Sequence, residues 1–318
     1  MIIVTGGAGF IGSNLVRALN QRGETDILVV DDLSDGSKFA NLADCELADY
    51  EDKDAFRQYL SSRGLPSSIR AVLHQGACTD TTEWDGRLML DQNFTVSREW
   101  LHACLHSQVP LIYASSAATY GLGPVFQEKP EHEHPLNVYG YSKLLFDQYV
   151  RRLNEPGSQV LGLRYFNVYG PREAHKKSMA SVVWHFHNQL CADGEVCLFE
   201  GSDGYSDGEQ SRDFVYVDDI ASVVMHFLDR PEISGIFNAG TGRAQSFNDI
   251  ATAVIKWHGH GRIRYIPFPE HLRGHYQSYT RADIRGLRDT GYRDAFMSVE
   301  EGVAAYLDAI GQEMPADA

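Results

Sequence analysis

The chain opens on Ile2-Ile-Val-Thr5, an unbroken apolar and β-branched run. Such a run, with no polar alternation, predicts a short strand buried on both faces of a parallel sheet. A glycine cluster follows, Gly6-Gly-Ala-Gly-Phe-Ile-Gly12, and apolar residues then recur at helical spacing from about Ile11 to Arg22. Asp26-Ile-Leu-Val-Val-Asp31 predicts the next strand, and Ala71-Val-Leu-His74 and Pro110-Leu-Ile-Tyr-Ala114 predict two more. Between and after them, the amphipathic stretches from about Leu88 to His106 and Tyr139 to Leu153 predict helices. Strands alternating with helices imply a right-handed parallel α/β sheet. Beyond Gly170 the pattern is less regular. Met179 to Leu190 predicts a helix, Phe199 to Gly208 a polar loop, and Arg212-Asp-Phe-Val-Tyr-Val a strand whose following helix Asp218 or Asp219 caps. Ile236-Phe-Asn-Ala239 predicts a short strand that returns to the first sheet.

Strand, glycine turn, helix and strand in that order give the glycines a specific meaning. Gly6, Gly9 and Gly12 are spaced to allow a tight turn, close approach to a pyrophosphate and close helix packing. The helix N-terminus then faces the phosphates. Asp31 lies at the distance expected of a group that bonds an adenosine ribose, and Asp31 with Asp32 suggests NAD. A 2′-phosphate would need a cation, and Lys38 and Lys53 stand downstream, where their residue type alone predicts solvated surface. The fold class is therefore α/β. A Rossmann-type doubly wound parallel sheet spans 1–168, and a smaller mixed α/β substrate-binding lobe spans 169–318, interleaved through segments near 213–240 that return to the first domain.

Composition removes several alternatives. The 318 residues carry a net charge of −15, which disfavours nucleic-acid and anionic-membrane partners. The 5 cysteines, at 45, 78, 104, 191 and 197, form no C-x-x-C and no Cys/His set with zinc spacing, so no metal is expected. An apolar strand from the second residue, with no basic leader and no run of membrane-spanning length, predicts a cytoplasmic protein with reduced thiols.

Candidate chemistry lies in Asn137-Val-Tyr-Gly-Tyr-Ser-Lys143. Tyr139 and Lys143 are four apart and share one helix face. An ammonium beside a phenol favours the phenolate, so the Tyr139 pKa is expected to fall towards working pH. Such a phenol can take the proton of a secondary alcohol while a hydride leaves the same carbon. Ser116 follows the strand ending at Ala114, where open α/β sheets bind ligands, and is positioned to bond the same oxygen.

With Tyr165-Phe-Asn-Val-Tyr-Gly-Pro-Arg172 and Arg212-Asp-Phe-Val-Tyr-Val-Asp218, these motifs resemble the extended short-chain dehydrogenase/reductase family over essentially the whole chain. Its members act on nucleotide-activated sugars as epimerases, dehydratases or reductases. Glu83-Trp-Asp-Gly86, Tyr113 to Gly121, Asn137 to Lys143, and Pro171 to Lys176 continuing through Ser178-Met-Ala-Ser181 narrow the resemblance to the family's ADP-heptose 6-epimerase branch. Ala117 and Ala118 stand where sugar dehydratases carry an Asp-Glu pair, so dehydration lacks its acid and base. The resemblance implies an isomerase of lipopolysaccharide inner-core heptose biosynthesis. It would invert C6 of ADP-D-glycero-D-manno-heptose through a 6-ketone and act as a homopentamer.

The resemblance nominates Tyr139 and Lys176 as the two acid/bases, with Lys143 and Ser116 assisting. Lys177 alongside is locally indistinguishable from Lys176. It implies NADP as cofactor, with NAD open because Asp32 stands where Asn is common. The implied cofactor contacts are Gly6, Gly9, Phe10, Ile11, Gly12, Asp31, Asp32, Lys38, Lys53, the run Gln75, Gly76, Ala77, Cys78 and Thr79, then Gln92, Asn93, Tyr139, Lys143, Val168 and Lys176. The implied substrate contacts are Ser116, Asn167, Ser178, His185, Phe199, Glu200, Gly201, Ser202, Arg212 and Tyr276, and Arg273 is a further candidate for a phosphate. The rival readings are another nucleotide-sugar epimerase or reductase and a non-enzymatic dinucleotide sensor, which would not need an intact Tyr/Lys pair.

Overall fold

Strands β1 (Ile2–Thr5), β2 (Ile27–Asp31), β3 (Asp49–Asp52), β4 (Ala71–His74), β5 (Leu111–Ser116) and β6 (Val160–Tyr165) pair in parallel in the order β6-β5-β4-β1-β2-β3. They belong to a computed structural model that describes residues 1–270 and 276–313. The short strands β7 (Asn167–Tyr169), β8 (Glu195–Phe199), β9 (Ser211–Arg212) and β10 (Phe214–Tyr216) follow. Strand β11 (Gly235–Ala239) then returns beside β6 as the seventh strand.

The two faces of the sheet follow from the period-two geometry of strands. Ile2 and Val4 point to a core shared with α1 (Phe10–Gln21). Ile3 points to a core shared with α2 (Lys53–Arg63), through Phe56 and Leu60. Both residue sets are buried, which is why the sequence of β1 shows no alternation. The stretch read as one helix from Leu88 to His106 is α3 (Gly86–Leu90), a π-helical turn over Asp91–Thr95, and α4 (Val96–Ser107). Its Trp100, Leu101 and Cys104 complete the second core, with Phe146 and Val150 of α5 (Val138–Val150).

In the second lobe, β8 pairs in parallel with a strand over Arg262–Ile266, and α6 (Val182–Asp193) packs on it. Helix α7 (Val217–Leu228) belongs instead to the first core: its Ile220, Val223, Val224 and Phe227 pack with α1. Asp218 and Asp219 do not cap α7, because β10 runs straight into the helix and Tyr216 takes the cap position. They occupy the first turn, where Asp218 pairs with Arg17 and the Asp219 carboxylate accepts the Met297 amide at 3.0 Å. Helix α8 (Phe247–His258) does carry a capping box, from Ser246 and Asp249, and packs against α6.

A buried ionic cluster fixes α5 to the sheet. The Asp147 carboxylate accepts from Tyr113 Oη at 3.0 Å, Ser115 Oγ at 2.9 Å and Arg164 Nε at 2.9 Å. Arg164 is fully buried, also bonds Glu133 at 2.5 Å, and lies over the Tyr120 ring. Removing one partner from such a pair leaves an unmatched buried charge, a cost of about 3–5 kcal/mol. Asp147→Ala is therefore expected to lower the unfolding free energy in urea by about 3–5 kcal/mol. Tyr113→Phe, which removes one hydrogen bond, is expected to cost about 1 kcal/mol. Equal midpoints for Asp147→Ala and the parent protein would show that the pair does not anchor the helix.

Candidate active site

The glycine turn leaves β1 at Gly6, whose φ of +65° favours glycine. A side chain on Gly12 would put a Cβ 2.1 Å from the Gly6 carbonyl oxygen, so α1 lies on the turn with no room for one. Gly9 caps α1 without any side-chain acceptor, leaving the first-turn amides for an anion. Across the turn, the Gly76 amide donates to Thr5 Oγ1 at 3.1 Å, and Thr5 Oγ1 is 2.7 Å from His74 Nδ1. Burial first, and the Lys143 charge second, push the His74 pKa down to about 3, so this imidazole is a neutral strut. The Gln75 side chain accepts from Tyr165 Oη at 3.0 Å, while its buried Nε2 has no hydrogen-bond partner among the described residues. An uncapped helix start, a turn too tight for side chains and an orphaned amide donor all fit a dinucleotide phosphate and ribose chain.

At the end of β2 the two acids have different partners. Asp31 is buried, accepts from the Ala8 amide at 2.7 Å and pairs with Lys38 at 2.6 Å. Asp32 pairs with Lys53 at 2.9 Å and accepts from the Ser34 amide at 2.8 Å. The hydrogen bonds from Ser34, then those from Lys53, hold its carboxyl well below the usual range. Lys38 and Lys53 are thus gathered at the ribose end rather than dispersed on the surface.

Two proposed contacts stand behind the cradle. Asn93 is buried, accepts from Cys78 N at 2.8 Å and donates to Cys78 O at 3.0 Å and Ser142 Oγ at 3.0 Å. Its amide is spent on holding the 75–79 turn against α5, so it shapes the cradle instead of facing it. Gln92 turns its amide to Asp91 at 3.2 Å. Two residues that sequence reading passed over join the glycine turn to the segment after Gly170. Asn14 donates to Phe10 O and Pro171 O, and Asn41 to Ala8 O and Arg172 O. A lone Asn in a sequence carries no such signal.

Tyr139 lies in the first turn of α5, capped by Asn137, whose side chain accepts from Gly140 N at 2.8 Å. A Cβ on Gly140 would sit 2.7 Å from Ala118 O, so glycine lets the helix start press on the turn that follows β5. That turn begins at Ser116, which is itself the cap and accepts from Ala118 N at 3.1 Å. Ser115, by contrast, is committed to Asp147. Burial raises the Tyr139 pKa, and the Ser116 hydroxyl as a hydrogen-bond partner opposes the rise. The expected fall is not seen. Lys143 aims its ammonium at Ala114 O, 3.0 Å away, and burial outweighs any help to the phenol. Burial likewise pushes Lys143 down to about 8, against the pull of Asp147.

Lys176 and Lys177, indistinguishable in sequence, diverge completely. Lys177 has φ of +52°, is exposed, and reaches Asp35 at 3.6 Å. Lys176 turns inward, with Nζ 5.2 Å from the centre of the Phe10 ring at the start of α1. Burial lowers its pKa, opposed by the carboxylate of Glu173. Glu173 is itself fully buried and accepts from Ser181 N and Oγ, each at 2.6 Å. Thr81 joins this segment to the start of α5: its carbonyl accepts from Asn137 at 3.3 Å, and its hydroxyl is 3.8 Å from Met179 Sδ.

In the second lobe, Arg212 is buried with its guanidinium 4.9 Å over the Tyr276 ring. Among the described residues no carboxylate pairs with it, which leaves a buried cation for an anionic ligand. Phe199 packs near Tyr276 at 6.4 Å between ring centres, and Ser202 is buried against Gln210. Glu200, Gly201 and Ser202 line an open hollow with the 203–207 loop, Asn248 and Tyr265, which contains none of Ser116, Tyr139, Lys143 and Lys176. Asn167 is exposed on β7 next to the partly buried Val168. His185 Nε2 is 3.3 Å from Ser178 O, linking those two residues to each other. Arg273 lies outside the described residues.

Comparison with known proteins converges on the same chemistry. The model of the NAD dependent epimerase/dehydratase family matches residues 2–240. The chain is 61% identical over 311 residues to the ADP-L-glycero-D-manno-heptose-6-epimerase of Alkalilimnicola ehrlichii, covering 98% of this chain and 97% of that one. The solved ADP-L-glycero-D-manno-heptose-6-epimerase of Helicobacter pylori superposes with a TM-score of 0.84 at 31% identity, over 98% of this chain and 96% of its own. UDP-glucose 4-epimerase of Thermus thermophilus, solved in complex with NAD, superposes with a TM-score of 0.80 at 27% identity, over 98% and 99%. The glycine turn, the Ser116–Tyr139–Lys143 set and the whole-length similarity have one conclusion: the chain belongs to the NAD dependent epimerase/dehydratase family.

Proposed function

We propose that the protein is an ADP-heptose 6-epimerase that interconverts ADP-D-glycero-D-manno-heptose and ADP-L-glycero-D-manno-heptose in lipopolysaccharide inner-core synthesis. The observation that carries the reading is Lys176, turned in against Phe10 as a second, burial-tuned base beside an intact Ser116–Tyr139–Lys143 set. The 61% identity to a protein of that name supports the same substrate. The buried, carboxylate-free Arg212 suits a diphosphate, and Ala117 and Ala118 supply no acid or base for dehydration.

The glycine turn and the 75–79 run would hold a nicotinamide dinucleotide, which when bound would supply hydride removal from C6 and its return. The chain's own groups manage the proton. Tyr139 Oη accepts the C6 hydroxyl proton as the alcohol becomes a ketone, with Ser116 bonding the same oxygen and the Lys143 ammonium, one helical turn on, contributing positive charge to the site. The C6–C7 unit turns about C5–C6 and presents its other face. There Lys176, as ammonium, gives a proton to the oxygen as the alcohol re-forms. In the reverse direction the two groups exchange roles, and solvent restores their protonation.

The first test is conversion of the D-glycero substrate followed at C6 by proton NMR. The parent protein is expected to yield the L-glycero epimer, and absence of conversion would overturn the reading. Tyr139→Phe and Lys176→Met are each expected to lower kcat by about 10²–10⁴. Lys176→Met should leave cofactor affinity nearly unchanged, and normal turnover in that variant would remove it from the mechanism.

The pH profile follows from Lys143. Its charged form is lost as pH rises through about 8. Activity is therefore expected to decline on the alkaline side from that point, and Lys143→Arg, which keeps its charge, should lose that limb even if slower. The same limb in both proteins would assign it elsewhere.

For the cofactor we infer NADP, with Lys38 and Lys53 as partners of the 2′-phosphate. Lys53→Met should weaken NADP by roughly tenfold while leaving NAD unchanged, in keeping with loss of a charge-assisted contact of about 1.5 kcal/mol. Asp32→Asn should shift preference further towards NADP. Equal losses for both dinucleotides in titrations of stripped protein would favour NAD. A homo-oligomer is part of the same proposal, supported by exposed Trp84, Leu88 and Tyr141 around the α3 and α5 surface.

A further inference from the structure

The sequence shows no zinc spacing among its cysteines and histidines, yet folding assembles three such residues between two helices of the second lobe. His187 and Cys191 are four apart on α6, one turn above each other on one face. His258 is the last residue of α8, which packs against α6. His187 Nδ1 is 3.1 Å from His258 Nε2, and Cys191 Sγ is 3.9 Å from His187 Nε2. One ligand atom from each of the three lies within 4.8 Å of the other two.

We propose that His187, Cys191 and His258 form a binding site for a divalent transition ion of the zinc class, which bolts α6 to α8 in the second lobe. Around a tetrahedral zinc with bonds of about 2.0–2.3 Å, neighbouring ligand atoms lie roughly 3.3–3.7 Å apart. His187 faces His258 with Nδ1 and Cys191 with Nε2, so a single ion takes one of these nitrogens and the exposed Cys191 side chain turns to complete the set. Two imidazoles and one thiolate suit a borderline ion and do not suit magnesium or calcium. The Cys191 thiol gives up its proton to solvent on binding. Three protein ligands leave the fourth position to water, with the His260 ring 5.7 Å from that of His258. No acidic group takes part, so the site differs from the acidic clusters that surfaces commonly carry.

The test uses full-length protein without a histidine tag, with its cofactor bound, titrated with Co²⁺ and then Zn²⁺. The expected result is one saturable equivalent of Co²⁺ with a thiolate-to-metal charge-transfer band, displaced by Zn²⁺, together with a higher Tm. Cys191→Ser should abolish the band. His187→Ala and His258→Ala should each weaken binding by at least roughly tenfold. Cys191 is exposed and the two histidines are half-buried, and the metal-free Tm of each variant reports that it folds. Absence of saturable binding, a band that survives Cys191→Ser, or unchanged affinity in both histidine variants would overturn the proposal.

Discussion

The structure depends on one buried carboxylate. Asp147 sits one helical turn beyond Lys143 on the same face of α5 and holds that helix to two adjacent strands, through Tyr113 and Ser115 of β5 and Arg164 of β6. An ion inside a protein must be matched nearly completely, so this cluster tolerates only one placement of α5. The start of the helix is then constrained by Gly140 against Ala118. Between these two fixed points stand Tyr139 and Lys143. Asp147 also acts through space on Lys143, opposing the loss of charge that burial imposes. One residue therefore both positions the helix that carries Tyr139 and Lys143 and partly offsets the effect of burial on that lysine.

The electrostatics of the site run against simple expectation. A Tyr–Lys pair on a helix suggests a phenol made acidic by its neighbour. Here burial raises Tyr139 and lowers Lys143, so each group is pushed towards its neutral form. What counters this is fixed polarity: the Ser116 hydroxyl at the phenol and Asp147 behind the lysine. Lys176 is governed by the same balance, lowered by burial and supported by Glu173. Tyr139 and Lys176, from separate segments, are thus both pushed by burial towards their neutral forms.

Much of the first domain was legible because its signals are local. Three apolar residues and a threonine, a glycine turn and an amphipathic helix define β1 and α1 without reference to anything distant. By contrast β3 reads Asp-Tyr-Glu-Asp and is a strand only through its edge pairing with β2. The helix expected over Leu88–His106 contains a π-helical turn at Asn93, where the side chain serves Cys78 and Ser142. Neither the turn nor those bonds leave a trace in hydrophobic periodicity. Lys38 and Lys53 looked like ordinary surface cations until folding set them on Asp31 and Asp32. The triad His187, Cys191 and His258 was invisible for the same reason, since one member comes from a different helix.

The hardest discrimination, Lys176 from Lys177, has a backbone cause. Arg172 and Lys177 both have positive φ, at +72° and +52°, a conformation costing of order 1–3 kcal/mol for residues other than glycine. These two residues bracket Glu173 to Lys176 and make the segment reverse sharply at each end. At Lys177 the reversal sends its side chain outward to Asp35, while its neighbour stays directed at Phe10. Between the brackets, Glu173 is pinned by both donors of Ser181 at the start of α6. Strain at the ends and a buried carboxylate in the middle together over-determine the path of the segment. The difference between two adjacent, chemically identical lysines therefore resides in main-chain torsion and in one buried glutamate.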